Sequence, residues 1–278
     1  MKGLIVTADD YGAAREVNDA VEKAHCHGIL TAASLMVAAP AAGDAVTRAK
    51  TMPSLRIGLH IVLVEGRPML PPSAIPDLVD ETGNFRTDMV RSATAMFFRP
   101  SVRRQLAHEI EAQFDAFKAT GLRLDHVNTH KHFHLHPTIA AMILKIGKPH
   151  GMRAMRVPLE PRSALAAAEP GEAVPPAYAT GPWARLSRHR LRQAGLVIPD
   201  AVFGLAWSGA MTAVRMRGLI AHLPEGLSEI YLHPATAGGF EGAAPGYRYA
   251  EELAALTDTG VISAARDPNI RLGGFVDF

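Results

Sequence analysis

Short apolar runs alternate along this chain with segments whose apolar residues recur every three or four positions. That is the pattern of strands followed by helices in a parallel sheet. The spacing predicts a first strand over residues 3–8 and a helix over Arg15–His27, with Val17, Ala20, Val21 and Ala24 on one face and Gly28 as its stop. A second strand is expected at 34–37, a helix at 41–50 ending before Pro53, and a third strand at 55–63. Residues 64–95, holding Pro68, Pro71, Pro72, Pro76 and Gly83, read as a long irregular insertion. The clearest helix is 101–120, with Leu106, Ile110, Phe114 and Phe117 at helical spacing. Strand four follows at 122–127, a helix opens at Pro137 and runs to about 148, and strand five covers 153–157.

Residues 160–182 are rich in Pro, Ala and Gly without a period, so they read as a second long insertion, either a lid or a disordered loop. Then come a basic helix at 183–194, a strand at 201–205, a helix at 210–223, a strand at 228–232, a helix at Tyr249–Leu256 and a last strand at 272–276. The chain shows no internal repeat and no clear domain boundary. The expected architecture is α/β: one domain over residues 1–278, a distorted (β/α) TIM-like barrel of mostly parallel strands with two long loop insertions.

Composition narrows the function. With 278 residues, 48% hydrophobic and 20% charged, the chain has globular values. A net charge of +2 gives no broad basic field for nucleic acid. The single cysteine, Cys26, cannot form an internal disulfide, which points to a reducing compartment. The first ten residues do not read as a signal peptide. The longest uncharged run, residues 28–43, falls short of the about 20 residues a membrane span needs. A cytoplasmic protein is expected, with contact at the inner membrane surface left open.

The chemistry is concentrated in one tract. His130, His132, His134 and His136 occupy every second position of seven residues. Burying four imidazoles unpaired is costly, and neutral imidazole is the commonest metal ligand. The tract therefore reads as a metal or acid/base site, against the blander reading of a wet histidine-rich loop. Asp9 and Asp10 follow strand one, His60 closes strand three, His130 and His132 follow strand four, and His233 follows strand seven. In a (β/α) barrel these carboxyl ends converge on one face. One carboxylate of the Asp9–Asp10 pair could cap a helix, or one could bind a metal while the other acts as general base. One Asp with two His is a ligand set with open positions, suited to zinc or iron and to magnesium with more oxygen ligands.

Four stretches carry a resemblance: Thr7-Ala8-Asp9-Asp10-Tyr11-Gly12, Ile57-Gly58-Leu59-His60, Asp125-His126-Val127-Asn128-Thr129-His130-Lys131-His132-Phe133-His134, and Ile230-Tyr231-Leu232-His233-Pro234-Ala235. In order and spacing they resemble the YdjC-like carbohydrate deacetylases. Residues 28–37 and 63–68 resemble the hopanoid-biosynthesis-associated branch, HpnK. The resemblance implies one divalent metal ion, magnesium or zinc, held by Asp10, His60 and His130. It implies Asp9 as general base and His233 as general acid. His132 and His134 belong to the matching cluster in a substrate-binding or supporting role. Asn128 and Lys131 stand where some relatives place Asp and His. The implied substrate is an N-acetylglucosamine group on a bacteriohopane polyol, and a homo-oligomer is plausible in this family.

Two rival readings differ in class. A metal-dependent phosphoesterase would need more carboxylates to bridge two ions, and a sugar- or lipid-binding protein would need no general base. Deacetylation of a chitooligosaccharide is a third alternative. Arg153 and Arg156, on strand five, are either ordinary ion-paired arginines or contacts to sugar hydroxyls. The run from Trp183 to Arg192 is either a solvated helix face or a peripheral contact with a membrane surface.

Overall fold

The structure, a computed structural model, describes residues 1–174 and 181–278. In chain order it contains β1 (Lys2–Tyr11), α1 (Arg15–His27), β2 (Ala32–Leu35), α2 (Ala42–Thr51), β3 (Arg56–Ile61), α3 (Met89–Phe98), α4 (Pro100–Ala119), β4 (Val127–Thr129) and α5 (Pro137–Gly147). There follow α6 (Arg162–Ala168), α7 (Gly181–Gln193), β5 (Ala201–Phe203), α8 (Ala213–Ala221), β6 (Gly226–Leu232), α9 (Tyr249–Leu256), α10 (Thr259–Ala265) and β7 (Ile270–Leu272). Every strand pairing is parallel, in the order β4-β3-β2-β1-β6-β5, with β7 added on β1. β1 is the central strand. Its Leu4, Ile5, Val6, Thr7 and Ala8 have no solvent exposure, because the sheet is buried on both faces; on the inner face Ile5 packs with Ala32, Ala154 and Phe275, and Thr7 bonds Glu229.

The sheet curls into a half-barrel rather than the closed barrel expected from sequence. β4 and β5 do not pair. Between them lie only isolated bridges, Val127 to Met155 and Ala154 to Val197. Residues 153–157, expected as a full strand, make just these contacts. Pro158 and Pro199 flank the gap, and proline cannot donate to a ladder.

Both insertions carry structure that composition hid. The first ends in α3, whose N-cap Asp88 accepts a hydrogen bond from Arg91 N–H. The second contains α6, and its residues 175–180 lie outside the described segments. Strand four is shorter than expected, Val127–Thr129, although Asp125 N–H and His126 C=O still bond to Ile57 and Leu59 of β3. The last strand lies at Ile270–Leu272, not 272–276. The Asp125 carboxylate accepts from the Phe275 and Val276 N–H groups and from His126 Nδ1, and Phe275 stacks on His126. These contacts turn the chain end into a 3-10 helix. His126 fits there because Gly58 has no side chain; a Cβ would sit 2.5 Å from its ring.

Candidate active site

The carboxyl ends of β1, β3, β4 and β6 bring the chemical residues together. Asp10 lies within β1, but its φ of 60° puts it in the left-handed region. That backbone turn points successive carboxylates, Asp9 and Asp10, to different tasks. Strain of this kind gathers where geometry matters for function.

Asp10, His60 and His130 each offer one ligand atom, and these atoms lie within 4.8 Å of one another. His60 Nε2 is 3.2 Å from Asp10 Oδ1, and His130 Nδ1 is 3.3 Å from the same oxygen. The donor set of one carboxylate and two imidazoles fits a divalent cation. The far side of His60 supports the fit. Its Nδ1 lies 2.7 Å from Asn128 Oδ1 and 3.1 Å from Ser34 Oγ. With the Nδ1 hydrogen donated to Asn128, the Nε2 lone pair faces the other two ligands. Burial works to lower the His60 pKa, but Asp10 and Asp9 outweigh it and raise it. Burial likewise works to raise Asp10, and His130 and His60 hold it well below the usual carboxylate range.

Asp9 is 2% exposed and saturated with donors. Its Oδ1 accepts from Ser34 Oγ at 2.8 Å, Asn128 Nδ2 at 3.0 Å and Arg156 Nη2 at 2.9 Å, and its Oδ2 accepts from Arg156 Nη1 at 2.5 Å. Burial pushes the Asp9 carboxyl up, but the Arg156 guanidinium, with His60 and His233, holds it well below its ordinary value. Asn128 is suited to this place in a way Asp would not be. It accepts from His60 and donates to Asp9, so one side chain joins the cation cradle to the neighbouring carboxylate.

Arg156 has no solvent exposure. It pairs with Asp9 and also with Glu229 Oε1, at 2.7 Å from Nη2 and 3.0 Å from Nε, and lies 4.3 Å from the Tyr231 ring centroid. A buried guanidinium so engaged cannot touch sugar hydroxyls, so that sequence reading of Arg156 is corrected. Arg153 is exposed at the amino end of its segment and is not brought to the site. Glu229 and Tyr231 were missed from sequence. The one available signal was a charge in the apolar run of β6.

The histidine tract folds as 3-10 turns, with Lys131 and His132 in the left-handed region at φ 56° and 51°. Only His130 joins the cation cradle. His132 Nε2 lies 2.8 Å from the Tyr231 hydroxyl. His134 is 1% exposed and its Nδ1 meets Thr129 Oγ1 at 2.7 Å, so it supports the loop and is not a substrate contact. His136 opens α5 and faces Phe97. Lys131 reaches Glu65 at 3.0 Å across the cleft mouth.

His233 follows β6. Its N–H donates to Glu252 Oε2, and its ring faces Tyr247 at 5.1 Å between centroids. Beside the cradle opens a cleft of about 420 Å³ whose lining includes Asp10, His130, Arg67, Asn84, Phe85 and Phe240. The first insertion supplies one wall. The site therefore offers a cation cradle, an ionised carboxylate held beside it, and an imidazole near that carboxylate, at the edge of a cleft of ligand size. Among the described residues no helix is long and apolar enough to cross a membrane.

Comparison with known proteins identifies the family and the fold. A carbohydrate deacetylase of Geobacillus stearothermophilus is 28% identical over 277 residues, covering 99% of this chain and 97% of that protein. A carbohydrate deacetylase of Brevibacillus brevis is 37% identical over 147 residues, covering 53% of this chain and 56% of that protein, so that match spans about half the length of each. The crystal structure of a putative cellobiose-phosphate cleavage protein from Enterococcus faecalis superposes with a TM-score of 0.78 at 23% identity, over 99% of this chain and 98% of that one, which establishes the shared fold. The YdjC-like family pattern matches residues 3–267, and the chain belongs to the family of YdjC-like proteins.

Proposed function

We propose that this protein is a metal-dependent carbohydrate deacetylase, a hydrolase that removes the acetyl group from an N-acetylglucosamine-type sugar. One observation carries the reading: a three-ligand cation cradle joined through Asn128 to a buried, ionised Asp9. The deacetylase relative matched along nearly its whole length supports the substrate class. We take residues 1–278 as one domain; the main hydrophobic core, which runs from Leu4 to Ala265, supports this.

Asp10, His60 and His130 would hold the ion, magnesium or zinc. When bound, such an ion supplies a Lewis acid for the acetamide carbonyl and acidifies water. Asp9 takes a proton from the attacking water as its oxygen bonds to the carbonyl carbon. Arg156 keeps Asp9 ionised and oriented while lowering its basicity. His233 protonates the sugar nitrogen as the C–N bond breaks, since an amide anion cannot leave. The products are acetate and the free amine.

The substrate we favour is N-acetylglucosaminyl bacteriohopanetetrol, on the resemblance in residues 28–37 and 63–68, the latter leading into the cleft wall. Two-ion phosphoester hydrolysis fits less well. With Asp9 committed to Arg156, only Asp10 faces the cradle as a carboxylate. The test is acetate release from N-acetylglucosaminyl bacteriohopanetetrol and from chitobiose, with and without chelator. Chelator-sensitive release from the hopanoid alone supports the full reading. Release from chitobiose alone keeps the deacetylase and rejects the hopanoid. Release from neither by the metal-loaded protein rejects both.

A further inference from the structure

Two helices that the deacetylase reading does not use expose apolar side chains around one groove. On α3, Val90 is 78% exposed, Phe97 46% and Phe98 71%. With Thr94 between them they form a stripe at helical spacing. On α7, Trp183 and Leu186, one turn apart, are both 36% exposed. Between the helices lies a groove of about 620 Å³ lined by Met89, Phe97, Phe133, Leu135, Pro137 and Trp183, with His132 also at its wall. Exposed apolar groups grouped this way mark an interaction surface.

Arginines outnumber acids around it: Asp88 at the N-cap of α3 is the acid next to the stripe, and Glu65 is paired with Lys131. Neither α3 nor α7 contains an acidic residue. Arg91, Arg99, Arg185 and Arg190 are exposed and make no ion pair among the described residues. Large apolar and aromatic groups flanked by unpaired guanidinium groups match the interface of an anionic bilayer: rings enter the headgroup boundary while the cations stay at the phosphates. A symmetric second copy fits poorly, because a two-fold contact would bring the unpaired arginines of both copies into one interface.

We propose that the face formed by α3, α7 and the groove between them docks on an anionic lipid surface. Docking there sets the loop that carries His132, two residues from His130, close to the bilayer, where an amphiphilic substrate would present its sugar. The docking itself does not depend on the deacetylase reading, and its test needs no turnover.

The experiment uses the full chain with vesicles of phosphatidylcholine alone and of equimolar phosphatidylcholine and phosphatidylglycerol, at low and high salt. Co-sedimentation is expected with the anionic vesicles only, weakening as salt screens the arginines. Trp183 emission shifts to the blue on binding, whereas Trp207, 7% exposed, does not respond; Trp183→Phe assigns the signal. The doubles Val90→Ser/Phe98→Ser and Arg91→Glu/Arg185→Glu each lower vesicle partitioning by at least about tenfold. All four positions are exposed, so the circular dichroism and melting temperature of these variants should match the parent. No co-sedimentation with anionic vesicles at low salt overturns the proposal, as does unchanged binding by both doubles. A dimer that Val90→Ser/Phe98→Ser dissociates, without vesicle binding by the parent, assigns the face to a second copy instead.

Discussion

Arg156 grips both oxygens of Asp9 in a parallel fork, with Nη1 2.5 Å from Oδ2 and Nη2 2.9 Å from Oδ1, while neither side chain meets bulk water. Glu229 holds the same guanidinium from the other side. The carboxylate is thereby held in one orientation and kept ionised in the resting protein. Arg156→Met leaves Asp9 and Glu229 as buried carboxylates without their cation. Breaking a buried pair this way costs about 3–5 kcal/mol, so a markedly lower melting temperature is expected. Arg156→Lys keeps a charge but loses the planar fork. It should fold and lose turnover through kcat more than KM, which steady-state kinetics will separate.

Asn128 gives a sharper test, because it touches both halves of the site. Asn128→Ala removes the acceptor that turns His60 Nε2 toward the cradle and a donor to Asp9. Loss of such a supporting bond costs about 10–100-fold in metal affinity or activity. Zinc titration calorimetry on the purified variant reads the first loss, and acetate release reads the second. Native affinity together with native turnover would remove Asn128 from the account.

Metal retention separates the two aspartates. Asp9→Asn should keep ion binding and lose turnover by about 10²–10⁴-fold, the usual contribution of a positioned base. His60→Ala should lose the ion itself. Chelation of the parent protein should abolish acetate release, and added divalent ion should restore it. Equal ion binding by the parent and His60→Ala would show that the cradle lies elsewhere.

Stability should fall with acid in a window set by a buried histidine. Burial, with the Arg156 guanidinium nearby, pushes the His134 imidazole from 6.5 down to about 3. Between those values the unfolded chain binds a proton that the folded chain refuses. Stability therefore rises with pH across the window and is lost as pH falls from 6.5 toward 3, with a slope from this group approaching about 1.4 kcal/mol per pH unit. Denaturant unfolding at several pH values should show this slope, and His134→Asn should flatten it. An equal slope in the variant would assign the acid sensitivity to other groups.

The chemical constellation was legible before any fold was known. Asp9, Asp10, His60, His130, His132 and His233 stand at or just after apolar runs, and a parallel sheet must bring such ends to one edge; the choice of Asp10, His60 and His130 among them as ligands rested on the family resemblance. The alternation of strand and helix patterns was legible for the same reason: burial of β1 on both faces leaves a run that contains little but apolar residues. Local amino-acid order does not reveal whether a curled sheet closes. That is seen only in the fold, where the gap between β4 and β5 is bridged by isolated pairs. Nor does order distinguish four histidines of one tract. His130 faces a cation cradle, His132 meets Tyr231, His134 is walled in against Thr129, and His136 turns toward Phe97, because left-handed turns at Lys131 and His132 break the strand-like alternation. The sequence by itself determined the strand–helix class and the identity of the chemical groups, since both follow from hydrophobic periodicity and side-chain type. The tertiary structure alone decided the company each group keeps: Arg156 and Glu229, 73 residues apart, with Asp9, 147 residues from Arg156, share one buried charge cluster. Charge pairing in a protein interior is set by distance through space, and sequence separation carries no record of it.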